Sequence, residues 1–495
     1  MAMMRKDWKY GVLLLAATAL CTGLYAQSLE KNALTDSVQP KLNVQNNITL
    51  SAANSNIPFI IGDIYITGNR RTKNYIVERE LSFVKGDSIS LPELVKAFEK
   101  ARDRLINTHL FNDVLVFLKT THGYVVDIEI DVKERWYIFP LPYFRPVDRN
   151  LSVWQENNYS LSRVNYGIKY THYNFTGRND NLIAWLITGY SRQVELAYDQ
   201  PYADKSLKHG FGFTAIYAAQ KEIDALTINN QQHFIRADTI PYAGKYLSEQ
   251  YTLSLRYYFR PALKTKHLFR LGFTKLSMDS AVTVYNPRFF SNSKRQVAYP
   301  ELSYVMNYSD VDYIPYPLKG VIFETGLLRR GITSTMNLWQ FYTKNSYSWP
   351  IAKKTYFTTQ GWGTLKLPFN QPFYNQQLMG YGDFYLRGLD KYVIDGVAAG
   401  MIHNTFMREL LNFNIPFLRG TSHDHIPFRI YATAFGDAGY AYNKNNTGNS
   451  LENRFLYTGG FGLDIISFYD FTFKLDYSFN PIGQKGLFLR VGNEF

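Results

Sequence analysis

The sequence is almost without cysteine, since its single one, Cys21, lies in the first 26 residues. Basic residues there precede the apolar run 11–20, and Ala26 offers a small residue for cleavage, so we expect residues 1–26 to be a signal peptide. The run is shorter than the ~20 apolar residues that a membrane-spanning helix needs. The mature chain would have no cysteine, which excludes a disulfide framework, a thiolate metal site and a cysteine nucleophile.

Long apolar runs are missing from the rest of the chain, although aromatic residues make up 16% of the full sequence, whose mean hydropathy is −0.25. A transmembrane β-barrel reconciles these facts, because only every second residue of each strand meets lipid. A soluble β-sandwich is the structural alternative, since its strands alternate too. The net charge of +13 favours anionic lipid surfaces or acidic partners, while nucleic acid is not expected for a secreted chain.

Enzyme motifs are also missing. We find no Gly-x-Ser-x-Gly elbow, no His-Glu-x-x-His helix and no phosphate-binding glycine loop with its lysine. His403, His423 and His425 are scattered over predicted strands and loops, and the His423-Asp424-His425 cluster reads as a solvated loop rather than a metal site. The sequence therefore predicts no enzymatic activity, no metal and no cofactor.

The segment 27–57 is polar and aperiodic, which predicts a disordered leader. Residues 58–136 show the order β-α-α-β-β, typical of a compact α+β domain with two helices on a three-stranded sheet. Its second helix is predicted by the capping-box spacing of Ser90 and Glu93, followed by an apolar stripe formed by Leu94, Phe98, Ala101 and Leu105. One sheet edge should stay open, where an unfolded chain can add a strand, unless charge blunts it as at most edges.

A proline- and aromatic-rich segment, 137–149, is predicted to be a linker, and residues 150–495 to be an antiparallel barrel of about 16 strands. The clearest strand lies near the end, where apolar and polar residues alternate strictly from 471 to 479. Residues 252–259 repeat the pattern. Because these strands are about nine residues long, they are long enough to cross a membrane when tilted.

These residues resemble a known family. The domain at 58–136, with Gly68, Asn69, Gly86 and Glu134, resembles a POTRA domain, and the remainder resembles the barrel of the BamA/TamA superfamily. The barrel resemblance rests on ordered pieces spread along the chain: Asn174-Phe175-Thr176-Gly177, Pro317 with Gly320, Leu386-Arg387-Gly388-Leu389, Phe435-Gly436-Asp437-Ala438-Gly439, and the ending Gly459 to Phe495. Since there is room for one POTRA domain only, the chain resembles an accessory or specialised member.

The resemblance implies a loop that folds into the barrel lumen with Arg387 at its tip. A buried guanidinium needs a fixed carboxylate, and the resemblance implies Asp437 as that partner, with Glu409 left open as a second. The signature residues Leu386, Gly388 and Leu389 would shape the loop. The resemblance also implies a seam between the first and last strands, weakened by Gly492 and by the short face of Leu487, Leu489 and Val491, with Phe495 as terminal aromatic.

The function implied is that of an outer-membrane protein insertion or polypeptide translocation factor, with its POTRA domain in the periplasm. Its partners would be unfolded outer-membrane or secreted polypeptides and outer-membrane lipids, with periplasmic proteins or lipoproteins as possible subunits. The alternative is a channel: a translocator dedicated to one secreted partner, or a diffusion pore.

Overall fold

The computed structural model describes residues 58–146, 159–416, 425–444 and 449–491. The predicted signal peptide and leader lie outside these residues. The described chain forms an amino-terminal α+β domain followed by one large antiparallel sheet.

The amino-terminal domain is a four-stranded sheet with two helices. Its strand order is β2-β1-β4-β3, with β1 parallel to β4 and the other pairs antiparallel. The expected three-stranded sheet gains a short fourth strand at the start of the second helix. The elements are β1 (Pro58–Thr67), α1 (Asn74–Glu78), β2 (Ser88–Ser90), α2 (Leu91–Ile106), β3 (Phe111–His122) and β4 (Val125–Glu134).

Helix α2 begins where the sequence predicts. The Glu93 carboxylate accepts hydrogen bonds from the Ser90 hydroxyl at 2.8 Å and from the Ser90 N–H at 3.4 Å, which closes the capping box. The predicted stripe faces the sheet, with Leu94, Ala101 and Leu105 at most 1% exposed. Each large apolar side chain buried in this way contributes roughly 1.5–3 kcal/mol.

The large sheet contains sixteen strands joined in one continuous antiparallel order. Two small hairpins, β10–β11 and β18–β19, lie outside it, as do two short helices. The sheet strands are β5 (Ile138–Pro146), β6 (Val164–His172), β7 (Asn181–Gly189), β8 (Arg192–Gln200), β9 (His209–Gln220), β12 (Ser248–Phe259), β13 (Thr265–Met278), β14 (Gln296–Val311), β15 (Gly320–Thr333), β16 (Met336–Ala352), β17 (Thr355–Leu367), β20 (Ala398–Pro416), β21 (His425–Tyr442), β22 (Phe455–Ile466), β23 (Thr472–Phe479) and β24 (Lys485–Val491). The remaining strands and α-helices of the described residues are β10 (Glu222–Ile228), β11 (Gln231–Arg236), α3 (Ser280–Tyr285), α4 (Phe373–Gln376), β18 (Gln377–Met379) and β19 (Ile394–Asp395).

Along these strands the buried residues are polar and the exposed residues are apolar, which is the reverse of a soluble sandwich. In β23 the polar residues are the buried ones, with Thr472 0% and Asp476 2% exposed, while Phe479 at its end is 47% exposed. In β12 Leu253 and Leu255 are both 62% exposed. Polar side chains therefore fill the interior and apolar ones form the outer surface, as in a barrel that sits in a bilayer.

The sheet curls until its first strand reaches its last ones. Just before β5, the Trp136 N–H donates to the Tyr469 hydroxyl at 2.8 Å, and Tyr469 belongs to the turn between β22 and β23. The rings of Phe139 and Tyr469 also meet edge to face at 6.0 Å. The sixteen strands thus form a barrel, as the sequence predicts.

The linker prediction for 137–149 is wrong over most of its length. Residues 138–146 form β5, the first barrel strand, paired antiparallel with β6. Only three residues, 135–137, separate it from β4. Its prolines misled the sequence interpretation, because proline usually interrupts a strand.

In the described residues, no helix has both the length and the apolar character needed to cross a membrane.

Candidate functional site: the lumen loop and the barrel seam

The loop between β17 and β20 carries Arg387 into the barrel interior. The Arg387 guanidinium donates to both carboxylate oxygens of Asp437 on β21, through Nε at 2.9 Å and Nη2 at 2.5 Å. Its Nη1 donates to the Thr405 hydroxyl at 2.9 Å, and the guanidinium carbon lies 4.1 Å from the centre of the Phe435 ring. The structure thus places Arg387 and Asp437, the two residues of the predicted pair, in direct contact.

Both charges of this pair are removed from water. Arg387 is 5% exposed and Asp437 3%. Desolvation opposes such a pair, so its two-point geometry and the extra hydroxyl are needed to hold it. Removing either partner would leave the other charge buried and uncompensated.

Glu409 does not face Arg387. It lies near the turn between β16 and β17, where its carboxylate is 3.0 Å from the Lys354 ammonium. The second group on Arg387 is instead Thr405 of β20, which sequence reasoning missed.

Gly388 follows Arg387 and adopts a backbone conformation that favours glycine, with φ of 90°. A Cβ at this position would lie 2.8 Å from the Cβ of Ser478 on β23. The loop therefore approaches the barrel wall too closely for any side chain at this residue. Its neighbours Leu386 and Leu389 are 2% and 4% exposed and belong to a small apolar cluster inside the barrel.

The same loop also holds the last strand. The Asp390 carboxylate accepts two hydrogen bonds from Arg490 of β24, at 2.9 and 3.0 Å. Gln484 donates to the Tyr392 hydroxyl at 2.7 Å, just before β24 begins. The loop thus bridges β21 and β24 from within. Sequence reasoning missed the Asp390–Arg490 pair, whose only signal was a carboxylate three residues after the signature arginine.

A cap of loops covers the barrel end far from the amino-terminal domain. The tip of the β10–β11 hairpin reaches across this end. There the side-chain oxygen of Asn230 accepts a hydrogen bond from the Leu451 N–H at 3.2 Å, and the backbone carbonyl of Asn230 accepts one from the Val393 N–H at 2.8 Å. Asn230 is 1% exposed. An apolar cluster that includes Phe289 and Phe290 packs beneath the hairpin. The cap is therefore a packed structure.

Charged side chains fill the interior below this cap. The Glu301 carboxylate accepts hydrogen bonds from Arg270 at 2.6 Å and from Arg330 at 2.8 Å. Arg330 also donates to the Asn375 side chain in α4 at 3.2 Å. These side-chain hydrogen bonds join the barrel wall to the loop that crosses the interior, so the barrel is not an open tube at this level.

At the opposite end, the amino-terminal domain contacts the turns that ring the barrel. Its contacts reach the β6–β7 turn through Arg71, the β8–β9 and β12–β13 turns through Arg79 and Glu80, the β14–β15 turn through Asn107, and the β22–β23 turn through Arg135. The domain is thus seated on this end of the barrel.

Two ion pairs fix this seat. The Arg260 guanidinium donates to both oxygens of Glu80, and Arg135 donates to both oxygens of Asp470 at 2.7 and 3.0 Å. Burial by itself would raise the pKa of Glu80, but the charge and hydrogen bonds of Arg260 outweigh it and lower that pKa. Burial likewise opposes the charge of Asp470, yet hydrogen bonds from His109 and Arg135 hold its pKa below the ordinary value. Both carboxylates are therefore ionised at neutral pH.

The predicted seam residues are partly within the described chain. Leu487 and Leu489 of β24 are 62% and 61% exposed, on the outer surface. Val491 ends the strand, whereas Gly492 and Phe495 lie outside the described residues. In the part of the chain that the structure covers, β5 and β24 are the two ends of the sheet order, with no ladder between them.

The described residues contain no group of three metal-ligating side chains. His403 donates to the Tyr385 carbonyl at 3.0 Å within the barrel. The predicted His423-Asp424-His425 loop lies outside the described side chains.

Comparison with known proteins adds the following. The sequence model of the POTRA family, described as a surface antigen variable number repeat, matches residues 59–135. Among solved structures, the chain is similar to BamA from Haemophilus ducreyi lacking POTRA domains 1–3, at 17% identity over 88% of this chain and 84% of that one, with a TM-score of 0.47. It is similar to CdiB from Escherichia coli at 11% identity over 91% and 93%, with a TM-score of 0.44. None of the curated proteins compared with the chain matches it.

Proposed function

Because the chain joins a POTRA domain to a sixteen-stranded β-barrel, we propose that it inserts other polypeptides into the bacterial outer membrane or passes them across it. In this proposal the POTRA domain lies in the periplasm and binds an unfolded client. The barrel then opens sideways to lipid between β5 and β24. Hydrogen bonding and burial drive the process as the client folds, without enzymatic chemistry.

The observation that carries the proposal is the contrast between the interior and the seam. The interior is crossed by the loop that Asp437 and Arg490 hold. The two end strands, by comparison, share no ladder in the described residues. A strand edge in hydrocarbon leaves backbone groups unsatisfied at a cost of several kcal/mol each. The seam is therefore the place where a client strand gains most.

The client would first meet the POTRA edge strand β3. This strand ends the domain's sheet and presents Leu115 and Phe117, which are 50% and 42% exposed. Strand addition there uses main-chain hydrogen bonds and makes little demand on client sequence. The lysine of this strand, Lys119, is paired with Glu129 at 3.3 Å. These features support strand addition over a merely solvated edge.

Reconstitution tests the proposal. Liposomes containing the purified protein should accelerate the folding of a urea-unfolded eight-stranded outer-membrane barrel, measured by its heat-modifiable migration on gels. Joining Phe144→Cys to Leu487→Cys with a short bismaleimide should lock the seam and remove the acceleration. Each single-cysteine variant treated in the same way is the control. Equal acceleration by the locked protein would show that the seam is not the route.

A diffusion pore is the competing function, and the filled interior argues against it. A pore predicts steady conductance in planar bilayers, unchanged by the seam lock. We expect the protein to be silent in this assay until the Arg387 loop is released. A dedicated secretion translocator would instead pass an unfolded polypeptide into the liposome lumen, where an enclosed protease would cut it.

A further inference from the structure

The first barrel strand carries three prolines of the same parity, Pro140, Pro142 and Pro146. The Tyr173 N–H donates to the Tyr137 carbonyl at 2.8 Å, and β5 pairs with β6 in unbroken register from there. In an antiparallel pair, residues that exchange hydrogen bonds alternate with residues whose backbone points the other way. Odd-numbered residues of β5 therefore face β6, and all three prolines face away from it.

This placement removes donors from one edge only. A proline nitrogen carries no hydrogen, and its ring occupies the space in which a donor would lie. The outer edge of β5, defined as the side turned away from β6, keeps N–H groups at Ile138 and Phe144 alone in the range 138–146. It can accept hydrogen bonds along its length but can donate few.

The last strand presents the opposite edge chemistry. The Asn480 N–H donates to the Gln484 carbonyl at 3.1 Å, so even-numbered residues of β24 face β23. Its outer edge is formed by Lys485, Leu487, Leu489 and Val491, none of which is proline. This edge carries a complete row of donors and acceptors.

Resting on the proposed function, we infer that a client strand is added to β24, and that β5 is the donor-poor neighbour that it displaces. Wherever β5 lies against β24, the β24 carbonyls opposite prolines have no N–H donor on β5, and lipid supplies no donor either. A client strand without alternate prolines can donate to each of them. The exchange therefore gains hydrogen bonds that the resting seam lacks.

The faces of β24 define the occupant. Leu487 and Leu489 point outward, while Arg490 points inward to Asp390. A neighbouring strand must match this with apolar residues outside and polar residues inside. The occupant is therefore an amphipathic transmembrane strand of another barrel polypeptide. The lumen loop holds β24 through Asp390, so the strand is a fixed template for the incoming one.

Crosslinking tests which strand accepts the client. A strand that displaces β5 must run antiparallel to β24, and in a barrel with an even number of antiparallel strands this is the first strand. One probe is therefore a urea-unfolded eight-stranded barrel with a single cysteine in its first strand, added to liposomes containing Leu489→Cys protein. The other is the same barrel with a single cysteine in its last strand, which runs antiparallel to β5, added to liposomes containing Phe144→Cys protein. A client strand would form two or three more hydrogen bonds with β24 than with β5. We therefore expect the crosslinked yield with Leu489→Cys to be about tenfold or more higher than the yield with Phe144→Cys. A first-strand probe with prolines at alternate positions of that strand should lose that preference. Equal crosslinking to both strands, or a preference for β5, overturns the inference.

A second variant tests the donor deficit without a client. The double variant Pro140→Val with Pro142→Val restores two N–H donors on the outer edge of β5. Valine is chosen because β-branched side chains are favoured in strands. The amides of Leu487 and Leu489 should then exchange with deuterium about tenfold more slowly, because the seam closes more firmly. Pro350→Val in β16, away from the seam, is the matched control and should leave these amides unchanged. Unchanged exchange in the double variant contradicts the inference.

The outcomes separate this inference from the proposed function. If folding of the probe is accelerated but the crosslinks lie on β5, the proposed function stands and the choice of strand is wrong. If neither strand crosslinks and folding is not accelerated, the proposed function fails and the inference fails with it.

Discussion

The Glu80 carboxylate of the POTRA domain accepts hydrogen bonds from the Arg260 guanidinium at 2.6 and 2.8 Å, across the junction with the barrel. Glu80 is 2% exposed and Arg260 8%. Tyr202 shares the site through a hydrogen bond with Arg260. A buried pair of this kind fixes one arrangement strongly, because separating the partners strands both charges.

Glu80→Gln should loosen the POTRA domain from the barrel. It leaves the Arg260 charge without its carboxylate, and breaking one side of a buried pair costs about 3–5 kcal/mol. We expect faster cleavage by trypsin in the connecting segment 135–137 and a lower Tm. Glu78→Gln, at the exposed last residue of α1 and two residues before Glu80, is the control. Protease resistance equal to that of the unaltered protein would contradict the role of the Glu80–Arg260 pair in holding the domain to the barrel.

Arg387→Ala should release the lumen loop. The Asp437 carboxylate would remain buried without its guanidinium, at a cost of about 3–5 kcal/mol. The loop should become sensitive to protease, and conductance in planar bilayers should appear. Arg288→Ala changes an exposed arginine of the cap and should have neither effect. The double variant Arg387→Ala with Asp437→Ala should cost less than the two single losses added together, since the pair acts as a unit. Strict additivity would mean that the pair is not coupled.

Gly388→Ala should also disturb the loop, but through its backbone. A side chain at positive φ costs about 1–2 kcal/mol, and the new Cβ would crowd Ser478. Gly382→Ala in the same loop is the matched control, because a Cβ there meets nothing within 4 Å. Thermal unfolding of the two variants side by side gives the comparison. Equal Tm values would contradict the close approach.

The cap hairpin should weaken as pH rises from about 4 to 6. Burial raises the pKa of Asp224 to about 6, despite the hydrogen bond from Gln232, whereas an unfolded aspartate titrates near 3.9. Folded Asp224 therefore binds its proton more tightly, so the stability that this group contributes to the hairpin is fully present below about pH 4 and is lost as the pH rises through about 6. Burial raises the pKa of the neighbouring Asp395 too, so it adds in the same direction.

Hydrogen exchange of the β10–β11 amides at pH 5 and pH 7, corrected for intrinsic rates, measures this change. Asp224→Asn should reduce the difference between the two pH values, and Asp224→Asn with Asp395→Asn should remove it. A difference that persists in the double variant would assign the effect to other groups.

Much of the fold could be predicted from local patterns. The period-two alternation of 471–479 and 252–259 predicts strands with one polar face, and the stripe from Leu94 to Leu105 predicts α2. Element bounds were less predictable at 137–149, where prolines hid a strand. Their common parity is visible in the sequence, but the side they face depends on which residues of β5 bond to β6.

The sequence by itself determined that an α+β domain is followed by strands with one polar and one apolar face, because the periodicity of side chains is a local property that does not depend on contacts. That these strands close into a barrel with polar side chains inside is seen only in the tertiary structure. Only the tertiary structure decided which charges meet. Asp390 and Arg490, or Glu80 and Arg260, lie 100 and 180 residues apart, and such pairs form where sheet curvature and loop entry bring them together. The tertiary structure also decided the position of Glu409. The pairing of β20 with β21 has a register shift between Glu409 and Leu411, and no local sequence pattern shows this shift.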